Sequence, residues 1–321
     1  MQQSQQNPEQ ILNRLDWTVI RRLDGLLQGD YRTLFHGFGL DLADLREYQF
    51  ADDIRYIDWN VTARMQTPYV RQYLEDREVT AWFLLDLSPS IDFGTVRILK
   101  RNLLIDFTTL LARLLTRHGN RVGAIFYSGK IDRIIPVGSG KQQVLRLIHD
   151  LLKQPQLSHT PPTNLALLLE TAIRTIRRRS QIFIVSDFIS TPGWDKPLGI
   201  LAQRHETLAI RLYDPREIEL PDIGHIVMED SETGEQLMIN THDKKFRQRF
   251  TEEARKRDYE LNLILRRAGI DVAELSTEDD MIKAILRFAI LRKQQKINPA
   301  AFIKSNDHRP DMSNFRAEVM N

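Results

Sequence analysis

The stretch Ala81-Trp82-Phe83-Leu84-Leu85-Asp86-Leu87-Ser88-Pro89-Ser90 decides how this chain folds. Apolar residues follow one another without alternation from Ala81 to Leu85, which describes a strand covered on both faces, as in a parallel sheet. The strand then stops on a carboxylate with hydroxyls at the next alternate positions. A second run of the same kind, Ile182-Phe183-Ile184-Val185-Ser186, stops on Asp187.

Outward from these runs, strands and helices alternate. Thr95 to Arg117 carries Leu99, Leu103, Phe107, Leu110, Leu111 and Leu114 on one broad face and predicts a helix, ended by Gly119-Asn120. Arg121 to Tyr127 is the next strand. Ser128-Gly129-Lys130 is too short for a helical crossover, so Ile131 to Val137 must run antiparallel at an edge. Helices at Lys141 to Leu152 and Leu165 to Arg178 precede the strand Gln181 to Ser186. A helix near Lys196 to Arg204, a strand from Thr207 to Tyr213 and a hairpin from Ile226 to Ile239, turning at Ser231 to Gly234, come next. A charged helix (Lys245 to Ala268), a strand (Ile270 to Leu275) and a helix (Met281 to Arg292) complete the alternation.

This pattern predicts an α/β fold with a doubly wound, mostly parallel sheet of Rossmann-type order. In the order 3-2-1-4-5-6 the strand ending at Asp86 lies beside the strand ending at Asp187. The gap between them is the topological switch point, where open α/β sheets bind ligands. Ahead of the alternation, a Gln-rich start leads into helical spacing from Pro8 to Leu27, then a mixed, strand-like stretch from Asp41 to Arg77. The expected organisation is an N-terminal helix and β-rich segment over 1–78, packed on a main domain over 79–293. That domain carries a hairpin insertion at about 215–240, and a flexible tail fills 294–321.

Bulk properties narrow the function. The chain has 321 residues, enough for a substantial core, and its 45 Lys and Arg nearly cancel 43 Asp and Glu. Charge alone therefore gives no reason to expect a nucleic-acid or membrane partner. The absence of cysteine excludes disulfides, thiolate metal sites and thiol nucleophiles. No apolar stretch reaches the roughly 18 residues of a membrane span, and the N-terminus has no signal-peptide pattern, so the expectation is a cytoplasmic protein.

The candidate site is Asp86, Ser88, Ser90, Thr163 and Asp187. Carboxylate and hydroxyl oxygens are hard ligands, the donors that Mg2+ takes (Mn2+ or Ca2+ would suit them too). Hydroxyls add no charge, so a cation held by them stays electrophilic and keeps a position for an incoming carboxylate. Separately, each piece has a plainer role: Asp-x-Ser-x-Ser and Thr163-Asn164 as helix caps, Asp187 as a strand end. Convergence at one crevice is what favours the metal reading.

Other motifs fail on inspection. Gly138-Ser139-Gly140-Lys141 looks like part of a phosphate loop, but Ile135 replaces its first glycine and Gln142 its Ser or Thr. His205-Glu206 lacks the second histidine of a zinc protease. Arg177-Arg178-Arg179 ends a helix, where basic residues complement the dipole.

These residues resemble a known family. Asp86-x-Ser88-x-Ser90, Thr163 and Asp187 look like the metal-ion-dependent adhesion site (MIDAS) of von Willebrand factor A domains. More narrowly, Leu45 to Tyr48, Asp52 to Trp59 and Thr62 to Arg64 are similar to the signature ahead of such a domain in an uncharacterised bacterial family that accompanies MoxR-type AAA+ ATPases. Asp92-Phe93-Gly94, Asn120 to Gly123, Ser186-Asp187-Phe188 and Asp214 to Glu217 follow the same pattern. Ala51 and Pro161-Pro162 depart from it, standing where glycines are usual.

The resemblance implies a von Willebrand factor A-like fold and a non-enzymatic interaction module. Its site would capture an acidic side chain, in chaperone-like complex maturation with a MoxR-type AAA+ ATPase and client proteins. Arg46, Asp52, Asp53, Arg55, Asp58, Trp59 and Arg64 are candidate partner contacts. Their plainer reading is a salt-bridged β-structure that packs Tyr56, Ile57 and Trp59 against the main domain. The alternative is a Mg2+-dependent phosphoryl-transfer enzyme using Asp86 as nucleophile. It is disfavoured because only two carboxylates stand at the strand ends, and no lysine is evidently placed to meet a phosphate.

Overall fold

In the computed structural model, the residues described are 7–16, 44–49, 54, 57–72, 80–95, 98–157, 161–230, 233–281 and 283. The central sheet has six strands: β3 (Thr80–Asp86), β4 (Arg121–Tyr127), β5 (Ile131–Gly138), β6 (Gln181–Ser186), β7 (Glu206–Tyr213) and β10 (Asp271–Ser276). Their order is β10-β7-β6-β3-β4-β5, parallel throughout except where β5 returns antiparallel to β4 at the edge. This is the doubly wound, mostly parallel arrangement that the alternating pattern predicts.

Two hydrophobic layers sandwich the sheet, and β3 shows why its sequence does not alternate. Ala81, Phe83 and Leu85 enter the layer under α1 (Pro8–Leu15), α3 (Lys100–Arg117) and α4 (Gly140–Leu152). Trp82 and Leu84 enter the opposite layer, under α5 (Leu165–Thr175), α6 (Asp195–Arg204) and α7 (Lys244–Arg267). Phe83 and Phe183 lie opposite each other on β3 and β6, their rings stacked at 5.2 Å. Each such fully buried aromatic contributes roughly 2–3 kcal/mol of transfer free energy. The strand ends that carry the candidate site thus rest on a well-packed platform.

Before the sheet, α1 places Ile11, Leu12 and Leu15 in the first layer. The helix expected to reach Leu27 is described only to Leu15. β1 (Asp44–Glu47) and β2 (Tyr69–Gln72) pair antiparallel as a separate ribbon. Between them the structure departs from the expected strand-like character: α2 (Trp59–Met65) is a helix. Asp58 starts it, its Oδ1 accepting the Val61 N–H at 3.2 Å, which satisfies one of the donors a helix start leaves open.

The expected hairpin is present as β8 (His225–Glu229) and β9 (Gln236–Asn240), a two-stranded sheet of its own. The helix expected from Thr95 begins only at Lys100, because Gly94 folds the chain tightly beforehand. A Cβ on Gly94 would lie 2.5 Å from the Ile98 carbonyl oxygen and 2.7 Å from the Leu99 Cα, so this turn requires glycine. The expected helix from Met281 to Arg292 and the tail over 294–321 lie outside the described residues, apart from positions 281 and 283.

Candidate functional site

Asp86 closes β3 and is fully buried. Its Oδ1 accepts the Ser88 N–H at 3.0 Å, which turns the chain at once and brings the following hydroxyls to one side. Ser88 Oγ and Ser90 Oγ stand 3.1 Å apart, Ser88 wholly buried and Ser90 nearly so. A short 3-10 turn, Pro89–Asp92, carries Ser90. Across the switch point, the Ser186 hydroxyl at the end of β6 donates to Asp86 Oδ2 at 2.6 Å.

Asp187 follows immediately, also buried. Its Oδ1 accepts the Ile189 N–H at 3.0 Å and its Oδ2 accepts the Lys100 ammonium at 2.8 Å. Phe188 adopts a left-handed backbone with φ of +58°, a conformation that costs a non-glycine residue energy and must be held by its surroundings. Its N–H donates to Ser186 Oγ at 2.9 Å, and its ring packs on Trp194 at 5.8 Å.

Thr163 is 1% exposed, just ahead of α5. Its carbonyl accepts the Thr191 N–H at 2.8 Å and the Ser190 hydroxyl at 3.0 Å, so its loop is clipped to the loop that follows Asp187. The Asn164 N–H donates to the buried Tyr127 hydroxyl at 2.7 Å, while Asn164 Oδ1 caps α5 through the Ala166 N–H. Pro161 and Pro162 are exposed. Asp86, at the end of β3, is thus joined to Ser88 and, through Ser186, to the strand end that precedes Asp187, while Thr163 is tied to the loop that follows Asp187.

Electrostatics tie the two acids together. Burial, and after it the Asp187 charge, push the Asp86 carboxyl up to about 6, against the opposing effect of hydrogen bonds from Ser186 and Ser88. Lys100 is fully buried, with its ammonium 2.6 Å from Glu217 Oε1 as well as 2.8 Å from Asp187 Oδ2. Burial works against its charge, but the two carboxylates outweigh that and raise its affinity for the proton. The sequence showed no lysine evidently placed to meet a phosphate; the fold brings Lys100 here, paired with two carboxylates. Lys100 lies at the start of a helix and reaches partners 87 and 117 residues away, a proximity only the fold creates.

A framework that the sequence did not single out surrounds these residues. Arg101 pairs with Asp92 through Nε and donates to Asp92 Oδ2 at 2.9 Å, holding the loop that carries Ser88 and Ser90. Asp214 accepts from the Thr95 N–H at 2.9 Å, the Thr95 hydroxyl at 2.8 Å and the Thr277 hydroxyl at 2.7 Å. Asp92-Phe93-Gly94 and Asp214 to Glu217, quoted above only as matching stretches, are thus bound to one another through Thr95 and Lys100. With the helix expected from Thr95 this was hidden in the sequence; the observed helix start exposes it. Lys100 and Arg101 open α3 with no acid in its first turn, against the helix dipole, which calls for an anion nearby.

The segment ahead of the main domain is partly described. Asp58 is buried as the α2 cap, whereas Trp59 is 70% exposed and Arg64 is exposed. The expectation that Trp59 packs against the main domain is therefore wrong: as the first residue of α2 it projects into solvent. Arg46 lies on β1, paired with Val70. Asp52, Asp53, Arg55 and Tyr56 lie outside the described residues.

Among the described residues no group of three or more His, Asp or Glu side chains is placed to hold a metal ion. What the site does present is the hydroxyl pair of Ser88 and Ser90 beside Asp86, with Asp187 close enough to perturb it. These are hard oxygen donors, and they fit a small divalent cation held by hydroxyls with carboxylate support. Each carboxylate oxygen already accepts one donor, yet retains lone-pair capacity for water.

A doubly wound α/β protein with an oxygen-rich cluster at its switch point is thus the class that fold and site define. The chain belongs to the family described as "Protein of unknown function DUF58", whose sequence profile matches residues 44–260. It is 35% identical over 283 residues to uncharacterized proteins of Mycobacterium bovis and Mycobacterium tuberculosis, covering 88% of this chain and 89% of each of those. Among solved structures it is similar to the conserved hypothetical protein BatB of Bacteroides thetaiotaomicron. That likeness has a TM-score of 0.44 at 14% identity and covers 67% of this chain and 99% of BatB. No helix among the described residues is long and apolar enough to cross a membrane.

Proposed function

We propose that this protein is a non-enzymatic interaction module with a MIDAS-type site, where Asp86, Ser88, Ser90, Thr163 and Asp187 hold Mg2+ directly or through water. The observation that carries the reading is the Ser186-to-Asp86 hydrogen bond with Asp187 next in the chain, which joins two strand ends 100 residues apart in one buried cluster of hydroxyls and carboxylates. When bound, the cation supplies a coordination position that a partner's Asp or Glu can take. Ser88 and Ser90 offer neutral oxygens, so they leave the cation's charge largely unspent on the protein. The backbone and side-chain donors on Asp86 and Asp187 fix the carboxylates before any cation arrives. Binding rather than bond cleavage is the chemistry this favours, since the carboxylate beside the hydroxyl pair, Asp86, is already held by donors from Ser88 and Ser186.

The sequence resemblance extends the proposal to partners: a MoxR-type AAA+ ATPase and its clients, in chaperone-like complex maturation. Exposed Trp59 and Arg64 are available for such a contact. Isothermal titration with Mn2+ tests the site. Wild type is expected to bind, and Asp86→Ala to lose the heat; equal heats for both remove the reading. The phosphoryl-transfer alternative gains a buried lysine from the structure, but that ammonium is committed to two carboxylates. Hydrolysis of phosphorylated small molecules, abolished by Asp86→Asn, is the result that would favour it instead.

A further inference from the structure

We propose that Lys100 is a positioning residue of this site, a built-in counter-ion that keeps Asp187 in place without a metal and weakens divalent-cation binding, so that the bound cation remains exchangeable. The inference rests on the cation-site reading above and deepens it.

Lys100 is the first residue of α3, where the helix dipole disfavours a cation, and α3 carries no acid in its first turn. Its side chain is wholly removed from water, which is costly for an ammonium unless it is paired and hydrogen-bonded. The compensation is local: Asp187 Oδ2 at 2.8 Å, Glu217 Oε1 at 2.6 Å and the Phe93 ring, its centroid 5.8 Å from Nζ. A residue kept against both its helix and its burial is held there by those anions.

The arrangement also works in reverse. Asp187 is 2% exposed at its side chain, and without Lys100 only the Ile189 N–H among these contacts would compensate its charge. The site would then need an external cation to be stable. With Lys100 present, an arriving divalent ion meets an Asp187 already neutralised and an ammonium that repels it. Glu217 moderates this by taking part of the ammonium's charge. Removing Lys100 and removing Glu217 must therefore shift cation affinity in opposite directions.

The test uses the full chain, Mn2+ alone as the probe, and two readouts: isothermal titration and thermal unfolding with and without Mn2+. Lys100→Met is expected to melt lower than wild type without metal, to bind Mn2+ about tenfold more tightly and to show a larger Mn2+-induced rise in melting temperature. Glu217→Gln, which keeps the lysine, is expected to bind about threefold more weakly. Lys100→Met binding no more tightly than a wild type that does bind would overturn the inference and leave the site itself standing. Glu217→Gln binding as tightly as wild type or tighter would overturn it too, and decides the matter if Lys100→Met does not fold. A wild type without Mn2+ heat removes the site and this inference together.

Discussion

The Ser186 hydroxyl donates to Asp86 Oδ2 at 2.6 Å while accepting the Phe188 N–H at 2.9 Å. One buried side chain therefore joins the ends of β3 and β6 and also holds the left-handed residue beside Asp187. Ser186→Ala leaves a buried carboxylate oxygen and a backbone N–H without that partner. Each unmet group costs about 1–3 kcal/mol, so chemical denaturation should show a loss at the upper end of that range. A loss below about 0.5 kcal/mol would mean that the two strand ends are not coupled through this hydroxyl.

Arg101 and Asp92 form the corresponding clamp on the Ser88-Ser90 loop, with the Arg101 side chain 6% exposed and Asp92 20%. Arg101→Met should destabilise by about 2 kcal/mol, because it strands a partly buried carboxylate. Asp92→Asn should cost a similar amount. The double variant should recover much of the sum, giving a coupling of about 1–3 kcal/mol in a double-mutant cycle. Additive losses would show that the pair does not hold the loop.

Asp214 provides the pH dependence. Burial acts to raise its carboxyl, but the Thr277 hydroxyl, the N–H groups of Arg216 and Thr95 and the Thr95 hydroxyl outweigh this and hold it below the ordinary carboxylate value of 3.8. A carboxyl lowered in the folded state binds its proton more readily when unfolded, so it stabilises the fold at neutral pH. That contribution is complete above the unfolded value and is lost as pH falls through the folded one. Asp214→Asn should therefore cost about 1–3 kcal/mol at pH 7, with the difference from wild type narrowing below about pH 4 in urea titrations. A pH-independent difference would place the effect in packing rather than charge.

Much of the fold was legible because burial on both faces of β3 and β6 leaves a pattern that needs no partner to be recognised. Unbroken apolar runs and a turn too short for a crossover at Ser128-Gly129-Lys130 marked the strands, and the usual doubly wound order then placed the two Asp-ended strands side by side. What escaped were residues whose role depends on distant neighbours. Lys100 reads as an ordinary helix residue until β6 and the turn after β7 place Asp187 and Glu217 against it. Tyr127 reads as a core aromatic until its hydroxyl meets Asn164. Trp59 was misjudged for the complementary reason: an aromatic beside Ile57 suggests packing, but the Asp58 cap starts a helix that turns it outward.

Tyr127 offers the cleanest separation of support from ligation. Its ring is fully buried in the layer with Leu84 and Ile182, and its hydroxyl accepts the Asn164 N–H at 2.7 Å, next to Thr163. Tyr127→Phe keeps the ring and removes the hydroxyl that accepts the Asn164 N–H, so global stability should fall by about 1 kcal/mol, on the order of one hydrogen bond. The local effect should be larger. Amide exchange at Asn164 should quicken by more than the global change accounts for, because the turn before α5 loses its anchor while the sheet below stays intact. If Thr163 contributes to the cation site, Mn2+ affinity should drop several-fold with it. Faster exchange at Asn164 without any change in Mn2+ affinity would separate Thr163 from the site and leave Asp86, Ser88, Ser90 and Asp187 as its ligands.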